Sequence, residues 1–315
     1  MPALEIADGL FALSMPVRLD GRVSSHPVTS RGFTCDNVYL ALEDGHALLI
    51  DTGYTVNEGA LFEMLVALLP PSSSLSIWPL RLGEYASICN IRTLAERLHI
   101  DTLIGGQDEP TSWVDFRPEV APYGSPPAAG ALATLETRAV RIGEAVVLGS
   151  RGRAFHTFEA PLRLLPASWV YDDQTRTLFT SDAFTWVWRA TEQGPWSVSS
   201  ENDSTTPEGV SEYLRGSRFW WLPGAQTGRI REAIATIFAE HEVEAIAPAV
   251  GCVIKGREVV AHHAQLLDGV LEEMEHEPAI GRDVGRWNIG GRSATDRVAA
   301  QPAPAGDRRR DLLAG

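Results

Sequence analysis

Apolar and polar residues alternate along the first half of the chain in a pattern typical of β-strands. The clearest apolar runs cover residues 10–17 and 37–53, and the second run is interrupted at residues 43–46. The Asp44-Gly45 pair within that interruption is a hairpin signal, because both residue types tolerate positive φ. The pattern therefore predicts two strands joined by a tight turn over residues 37–53.

Helical periodicity appears next, and the two patterns then alternate. Apolar residues at helical spacing predict a helix over residues 58–69, which Pro70 ends. A second helix, at 91–100, is followed by a short strand at 101–106. Residues 107–137 are rich in Pro, Ala and Gly and are predicted to be irregular. Further elements are predicted as follows: strands over 137–150, 153–166 and 168–184, helices over 230–241 and 259–274, and a buried strand within 243–251.

This order of strands and helices predicts the fold class. Strands, a helix, more strands and then helices fit an α/β fold with two β-layers covered by helices on both outer faces. Residues 1–276 are predicted to form this one domain. Residues 277–315 are rich in Gly, Pro and Arg, and such a composition buries too little apolar surface to offset its ordering entropy, so a flexible tail is predicted there.

Composition and charge narrow the function classes. The formal net charge of -14 argues against nucleic acid or an anionic membrane as partner, because an acidic surface repels phosphates. No run of about eighteen apolar residues predicts a membrane span, and the N-terminus does not read as a signal peptide. The three cysteines are far apart and form no CxxC pair, which favours a reducing, cytoplasmic location.

Four segments, taken in order, resemble one known family. Residues 30–54 contain Asn-Val-Tyr-Leu and Leu-Ile-Asp-Thr-Gly, residues 141–161 contain a Leu-Gly turn between strands, residues 164–186 contain Leu-Phe-Thr-Ser-Asp-Ala-Phe, and residues 245–251 read Ala-Ile-Ala-Pro-Ala-Val-Gly. Together they resemble the metallo-β-lactamase fold, in particular the oxygen-reducing diiron branch found in flavodiiron proteins. The similarity spans roughly residues 5–275. It implies an αββα sandwich of two mixed β-sheets.

The resemblance also implies positions for the ligands of a dinuclear metal centre. The family motif reads His-x-Glu-x-Asp-His-Ser-Gly, and its serine is matched to Ser87. Only one of the seven ligand positions then keeps the expected side chain, namely Asp182. The seven positions are Arg81, Gly83, Tyr85, Ala86, Leu164, Asp182 and Val250.

These residues predict that the chain holds no metal of the family type. Iron and zinc sites are built from imidazole, carboxylate or thiolate donors, whereas arginine is a cation and leucine, valine and alanine offer no ligand atom. No cofactor is therefore expected. The flavin-binding domain of the flavodiiron architecture does not fit in this chain either, so any flavin would come from a partner.

Two roles remain open for the altered pocket. Arg81 is expected to form an ion pair with Asp182, which either plugs a dead site or, together with Tyr85, binds a polar ligand. Glu84, His156 and Glu159 are the candidates for relocated metal ligands or a catalytic base.

The functional hypotheses follow from these two roles. The first is a metal-independent binding protein, scaffold or pseudoenzyme that uses the vacated pocket. The alternative is an enzyme acting on a small molecule, either metal-free or with relocated ligands. An oxidoreductase is then favoured over a hydrolase, and no Gly-x-Ser-x-Gly elbow supports a serine hydrolase. A homodimer is expected from the resemblance, and the sequence identifies neither a protein partner nor a small-molecule ligand.

Overall fold

A computed structural model of the chain describes residues 3–106, 132 and 135–279. The described residues form two seven-stranded sheets. In the first sheet the strands are hydrogen-bonded in chain order: antiparallel from β1 to β4 and parallel from β4 to β7. Its strands are β1 (Leu4–Ala7), β2 (Leu10–Leu19), β3 (Gly32–Glu43), β4 (His46–Ile50), β5 (Ser74–Trp78), β6 (Thr102–Gly105) and β7 (Glu136–Ala139).

The second sheet is also mixed. Its strand order is β12-β14-β13-β11-β10-β9-β8, with parallel pairs β12·β14 and β11·β13 and antiparallel pairs elsewhere. Its strands are β8 (Ala145–Leu148), β9 (Arg153–Glu159), β10 (Ser168–Asp172), β11 (Thr177–Ser181), β12 (Ser197–Val198), β13 (Ala245–Pro248) and β14 (Val253–Lys255).

Helices cover both outer faces of the sandwich. They are α1 (Glu58–Leu68), α2 (Tyr85–Ile88), α3 (Ile91–Arg97), α4 (Pro207–Gly216), α5 (Gly228–Glu240) and α6 (Arg257–Glu275), with a 3-10 turn at Thr55–Asn57. Buried side chains of α1 and α3 pack on the first sheet, for example Leu61 and Ile91. Those of α4, α5 and α6 pack on the second sheet, and a third apolar cluster that includes Tyr39 and Phe179 lies between the sheets. The layers thus run helix, sheet, sheet, helix, and the predicted αββα fold is confirmed.

Polar contacts also join the two sheets. On β3, Asn37 Nδ2 donates hydrogen bonds to the carbonyl oxygens of Pro248 (3.0 Å) and Gly251 (2.9 Å), and Tyr39 Oη donates to Pro248 (2.6 Å). These contacts tie the middle of the first sheet to the end of β13. They fix how the ends of the strands meet, which is where the candidate site lies.

Most predicted elements lie where the sequence pattern places them. Glu43 pairs with His46 in the β3–β4 hairpin, whose turn residues Asp44 and Gly45 have φ of 46° and 77°. The prediction of irregular structure over 107–137 is wrong at its end, because Glu136 begins β7, whose four residues are held by parallel pairing to β6 despite their exposure. Residues 107–131 and 133–134 of that segment and residues 280–315 of the predicted tail lie outside the described residues.

No helix in the described part of the chain combines the length and apolar character needed to cross a bilayer.

Candidate functional site

Arg81 lies where the two sheets meet and bonds to a carboxylate from each. It follows β5, and its guanidinium donates from Nη1 to Asp182 Oδ1 (2.8 Å) and from Nη2 to Asp51 Oδ2 (3.0 Å). Asp51 follows β4 of the first sheet, whereas Asp182 follows β11 of the second. The Arg81 residue is only 2% exposed. The expected contact between Arg81 and Asp182 is thus present, and Asp51 completes a buried triad.

Besides the Arg81 guanidinium, two donors from the same segment hold Asp51 in place. Leu80 N donates to Asp51 Oδ1 (2.9 Å), and the hydroxyl of Ser87 bonds to the same oxygen. Ser87 Oγ in turn accepts from Arg81 N (3.2 Å). The sequence interpretation missed Asp51 as a site residue. Its signal was present, because a carboxylate directly after the apolar run Leu-Leu-Ile, at the end of a buried strand, needs a partner.

The triad keeps Arg81 charged. Burial by itself disfavours the guanidinium cation, but attraction to Asp51 and Asp182 outweighs this effect and raises the pKa of Arg81 above its usual value. A buried cation is stable only when paired and hydrogen-bonded, and here both terminal nitrogens have carboxylate partners. The arrangement therefore places a permanent positive charge between the ends of β4, β5 and β11.

Asp36 adds a third buried carboxylate close to this charge. Burial raises the pKa of the Asp36 carboxyl to about 6, although Oδ2 accepts hydrogen bonds from Tyr54 N (2.7 Å) and Asn57 Nδ2 (3.0 Å). Gly53 packs directly on it, since a Cβ there would lie 2.9 Å from Asp36 Oδ2, and Gly53 has a φ of 70°. Sequence reasoning did not single out Asp36, because its role depends on the approach of the 53–57 turn.

Glu84 and Tyr85 lie further out, on the loop that follows Arg81. Glu84 Oε1 pairs with Arg218 Nη1 (2.8 Å), and Arg218 Nη2 donates to Ser24 Oγ (2.8 Å). Tyr85 is 63% exposed at the start of α2. The Glu84–Arg218 ion pair thus fastens the loop to the segment after α4.

The remaining family positions bring apolar groups to this region. Ala86 is buried in α2, and a Cβ on Gly83 would lie 3.3 Å from the side chain of Leu165. Leu164 packs against the core on the outer side of the second sheet. Val250 is buried and forms a bridge with Asp36. None of these side chains offers a metal donor.

Neither His156 nor Glu159 bonds to Arg81 or to its two carboxylate partners. His156 follows Phe155 of the inter-sheet core and therefore points to the opposite face of β9. Its ring lies 6.3 Å from that of His241, which follows α5. Glu159 is exposed and paired with Arg163. A metal site relocated onto these two side chains and Asp182 does not exist in this arrangement.

The donor set does not fit a dinuclear iron or zinc centre. Among the seven family positions, Asp182 alone supplies a carboxylate or imidazole, and Arg81 holds it. Across residues 3–106, 132 and 135–279, no three His, Cys, Asp or Glu side chains are grouped so that they could hold a metal ion. A guanidinium already supplies the positive charge that would balance Asp51 and Asp182.

Comparisons by sequence find no match, whereas comparisons by structure find several proteins of one fold. No protein-family model and no curated protein matches the sequence. The chain is similar in structure to the rubredoxin oxygen:oxidoreductase of Desulfovibrio gigas, with a TM-score of 0.60, 19% identity and coverage of 88% of this chain and 62% of that one. It is also similar to the flavodiiron protein of Giardia intestinalis, with a TM-score of 0.61, 14% identity and coverage of 87% and 60%.

A third structure matches along almost its whole length. It is a fragment, residues 1–254, of diflavin flavoprotein A 5 from Nostoc sp., with a TM-score of 0.62, 18% identity and coverage of 87% of this chain and 96% of the fragment. The chain spans only about three fifths of the first two proteins. At such identities the similarity concerns the fold, and the chain has the metallo-β-lactamase-like αββα fold of the flavodiiron proteins.

Proposed function

We propose that this protein has a metal-independent role, as a binding protein, scaffold or pseudoenzyme, and that its dinuclear metal site has been lost. The observation that carries the proposal is the buried triad, in which Arg81 bonds to Asp51 and Asp182 at 3.0 and 2.8 Å. A metal ion bound between these carboxylates would face the guanidinium at close range, and two cations repel each other in a buried site.

Displacing the guanidinium is also unfavourable. Arg81 is almost completely buried. The loop of residues 81–87 is held by the hydrogen bond from Arg81 N to Ser87 Oγ and by the Glu84–Arg218 ion pair. Swinging the arginine outward would leave two carboxylates unpaired in the interior. Removing one partner of a buried ion pair costs about 3–5 kcal/mol of stability, because the remaining charge is uncompensated. Metal binding would have to offset the displacement of Arg81 with the carboxylates of Asp51 and Asp182 alone, which are fewer donors than a dinuclear centre needs.

A pocket beside the triad is the candidate place for a small-molecule ligand. Leu80 and Leu82, which flank Arg81, form part of its wall, and the Glu159–Arg163 pair lies on its rim. Its volume is about 370 Å³, within the range of about 300–1,000 Å³ for ligand pockets. Its lining is polar and apolar in nearly equal parts and includes one ion pair, which favours a small amphipathic molecule.

Elemental analysis tests the proposal directly. The full chain is purified without chelators, incubated anaerobically with Fe²⁺ or Zn²⁺, desalted and analysed for iron, zinc and manganese. We expect near-zero metal for the protein before and after incubation, and the same result for an Asp182→Asn variant as matched control. One or two metal ions per chain, lost in the Asp182→Asn variant, would overturn the proposal.

No flavin is expected in this chain, and dimerisation is proposed on the resemblance alone. An enzymatic role is not favoured by the placement of His156 and Glu159, because neither side chain bonds to Arg81, Asp51 or Asp182.

A further inference from the structure

A second cavity lies at the start of α4 and shares no lining residue with the one beside Arg81. It has a volume of about 230 Å³ and is lined by the segment 186–189, which follows β11, and by residues 202–206 and Gly209. Pockets for drug-sized ligands have volumes of about 300–1,000 Å³, so this cavity suits a smaller molecule.

Asp203 supplies a negative charge to this cavity. Its Oδ1 accepts a hydrogen bond from Thr205 N (3.0 Å), and its Oδ2 lies 3.2 Å from His263 Nε2. The indole Nε1 of Trp186, which can only donate, bonds to His263 Nδ1 (3.2 Å), so the neutral imidazole donates its own hydrogen from Nε2 to Asp203. Burial lowers the pKa of His263, so the ring is neutral at pH 7 and does not balance the carboxylate. No lysine or arginine in the described part of the chain pairs with Asp203.

Arg189 supplies a positive charge to the same cavity. Its guanidinium donates from Nε to Pro195 O (2.7 Å) and from Nη2 to Ser197 O (2.7 Å), and neither acceptor is charged. Asn202 Nδ2 donates to the same Ser197 oxygen (3.3 Å), so the guanidinium lies beside the residue that precedes Asp203. Within the described ranges, Arg189 has no carboxylate partner. Two opposite charges thus line one cavity without pairing with each other.

Two tryptophans form part of the same wall. Trp186 is buried and held by its bond to His263, whereas Trp188 is partly exposed and donates from Nε1 to Arg31 O (3.0 Å). The faces of indole rings attract ammonium cations. The indoles and the Asp203 carboxylate therefore favour the same kind of ligand group, a cationic amine.

We propose that this cavity binds a small zwitterion with one ammonium and one carboxylate group, such as an amino acid with a short side chain. The ammonium group bonds to Asp203 and contacts the indoles, and the carboxylate bonds to the guanidinium of Arg189. Each end of such a ligand balances a charge that the described chain leaves unbalanced. Because the two cavities are separate, this binding does not depend on the metal state of the triad.

Isothermal titration calorimetry of the full chain tests the proposal with matched ligands. L-Alanine and β-alanine carry both charges, whereas ethylamine and propionate are the same molecules without the carboxylate or without the ammonium group. We expect one zwitterion of the two to bind with one molecule per chain, and ethylamine and propionate to bind at least tenfold more weakly. No binding of either zwitterion, or equal affinity for ethylamine or propionate, would overturn the proposal.

Two variants assign the charged ends of the ligand. Asp203→Asn keeps an oxygen that accepts from His263, and Arg189→Gln keeps an amide that donates to a carbonyl. We expect each to weaken zwitterion binding at least tenfold, so that Asp203→Asn binds the zwitterion no better than propionate and Arg189→Gln binds it no better than ethylamine.

Asp8→Asn, at the exposed turn between β1 and β2, is the matched control and should leave the affinity unchanged. Urea unfolding checks that each variant is folded, and the ligand series on the wild-type chain decides the question where a variant is not. Unchanged affinity in either folded variant would show that the charges of this cavity do not hold the ligand, which overturns the proposal.

Discussion

Arg81 and Asp182 lie 2.8 Å apart and belong to different sheets of the sandwich. Arg81 follows β5 in the first sheet, Asp182 follows β11 in the second, and Asp51 bonds the other guanidinium nitrogen from the first sheet. The contact thus bridges the two layers at the ends of their strands. We therefore expect the arginine to stabilise the packing of the two sheets.

Replacing Arg81 with a neutral side chain of similar length tests this role in stability. We expect Arg81→Met to lower the free energy of unfolding by about 3–5 kcal/mol, because two carboxylates remain buried without their cation. Urea unfolding followed by tryptophan fluorescence measures the change. Arg176→Met is the matched control, since Arg176 pairs with Glu242 and Glu244 at the surface and should contribute at most about 1 kcal/mol.

A double-mutant cycle isolates the bridge itself. With Arg81→Met already in place, Asp182→Asn removes one of the unpaired charges and should therefore cost less than in the wild-type protein. We expect a coupling free energy of about 0.5–3 kcal/mol between the two positions from the same unfolding measurements. Strictly additive losses would show that the 2.8 Å contact does not contribute to stability.

Asp36 makes stability depend on pH in an unusual direction for a carboxylate. Burial raises its pKa to about 6, so between pH 4 and 6 the folded chain binds a proton that the unfolded chain has released. Its contribution to stability therefore falls as pH rises through this window, by roughly 3 kcal/mol for a shift of two pKa units.

An Asp36→Asn variant removes that titration while keeping one side-chain oxygen as acceptor. We expect the stability of the variant relative to wild type to improve by up to roughly 3 kcal/mol between pH 4 and pH 8. Denaturant unfolding across this range measures the difference, with exposed Asp8→Asn as control. A difference that stays constant with pH would contradict the prediction.

His26 acts in the opposite direction. Burial, with a contribution from Arg218, lowers the pKa of His26 to about 4, and its Nε2 has no hydrogen-bond partner among the described residues. Below pH 6.5 the unfolded chain binds a proton that the folded chain excludes, so this contribution to stability is lost as pH falls towards 4.

His26→Phe should reduce that loss. Phenylalanine keeps an aromatic ring against Trp188 and Tyr213, whose rings lie 5.6 and 5.5 Å from His26. We expect the variant to lose less stability than wild type between pH 7 and pH 4, by roughly 3 kcal/mol, measured by unfolding at each pH. His46→Phe, at the exposed first position of β4, should not change the pH dependence.

Local signals account for much of the fold. The Asp44-Gly45 turn is encoded by two residues that accept positive φ, and α1 was predicted over 58–69 and found at Glu58–Leu68, because its apolar stripe and Pro70 both act locally. Strand β7 was missed at its start, since its four residues are exposed and its pairing with β6 depends on distant chain.

Only part of the site could be predicted from the sequence, because its contacts join residues that are distant along the chain. The Arg81–Asp182 pairing was predicted from motif order, whereas Asp51, Asp36 and Arg218 enter through the meeting of separate strand ends and loops. No local pattern encodes such a meeting. His156 is predicted as a pocket residue but does not reach the site. It comes one residue after the buried Phe155 on β9, and one step along a strand turns a side chain to the opposite face of the sheet.

The location of the positive charge in the triad has a consequence for how the protein matures. A metal cofactor must be acquired after synthesis, competes with other proteins for a limited supply, and is removed by chelators. The guanidinium of Arg81 is part of the polypeptide, so it is present once per chain from translation onward and cannot be exchanged or extracted. Under the proposed metal-independent role, we therefore expect that this sandwich folds without iron and that its abundance does not follow the iron status of the cell.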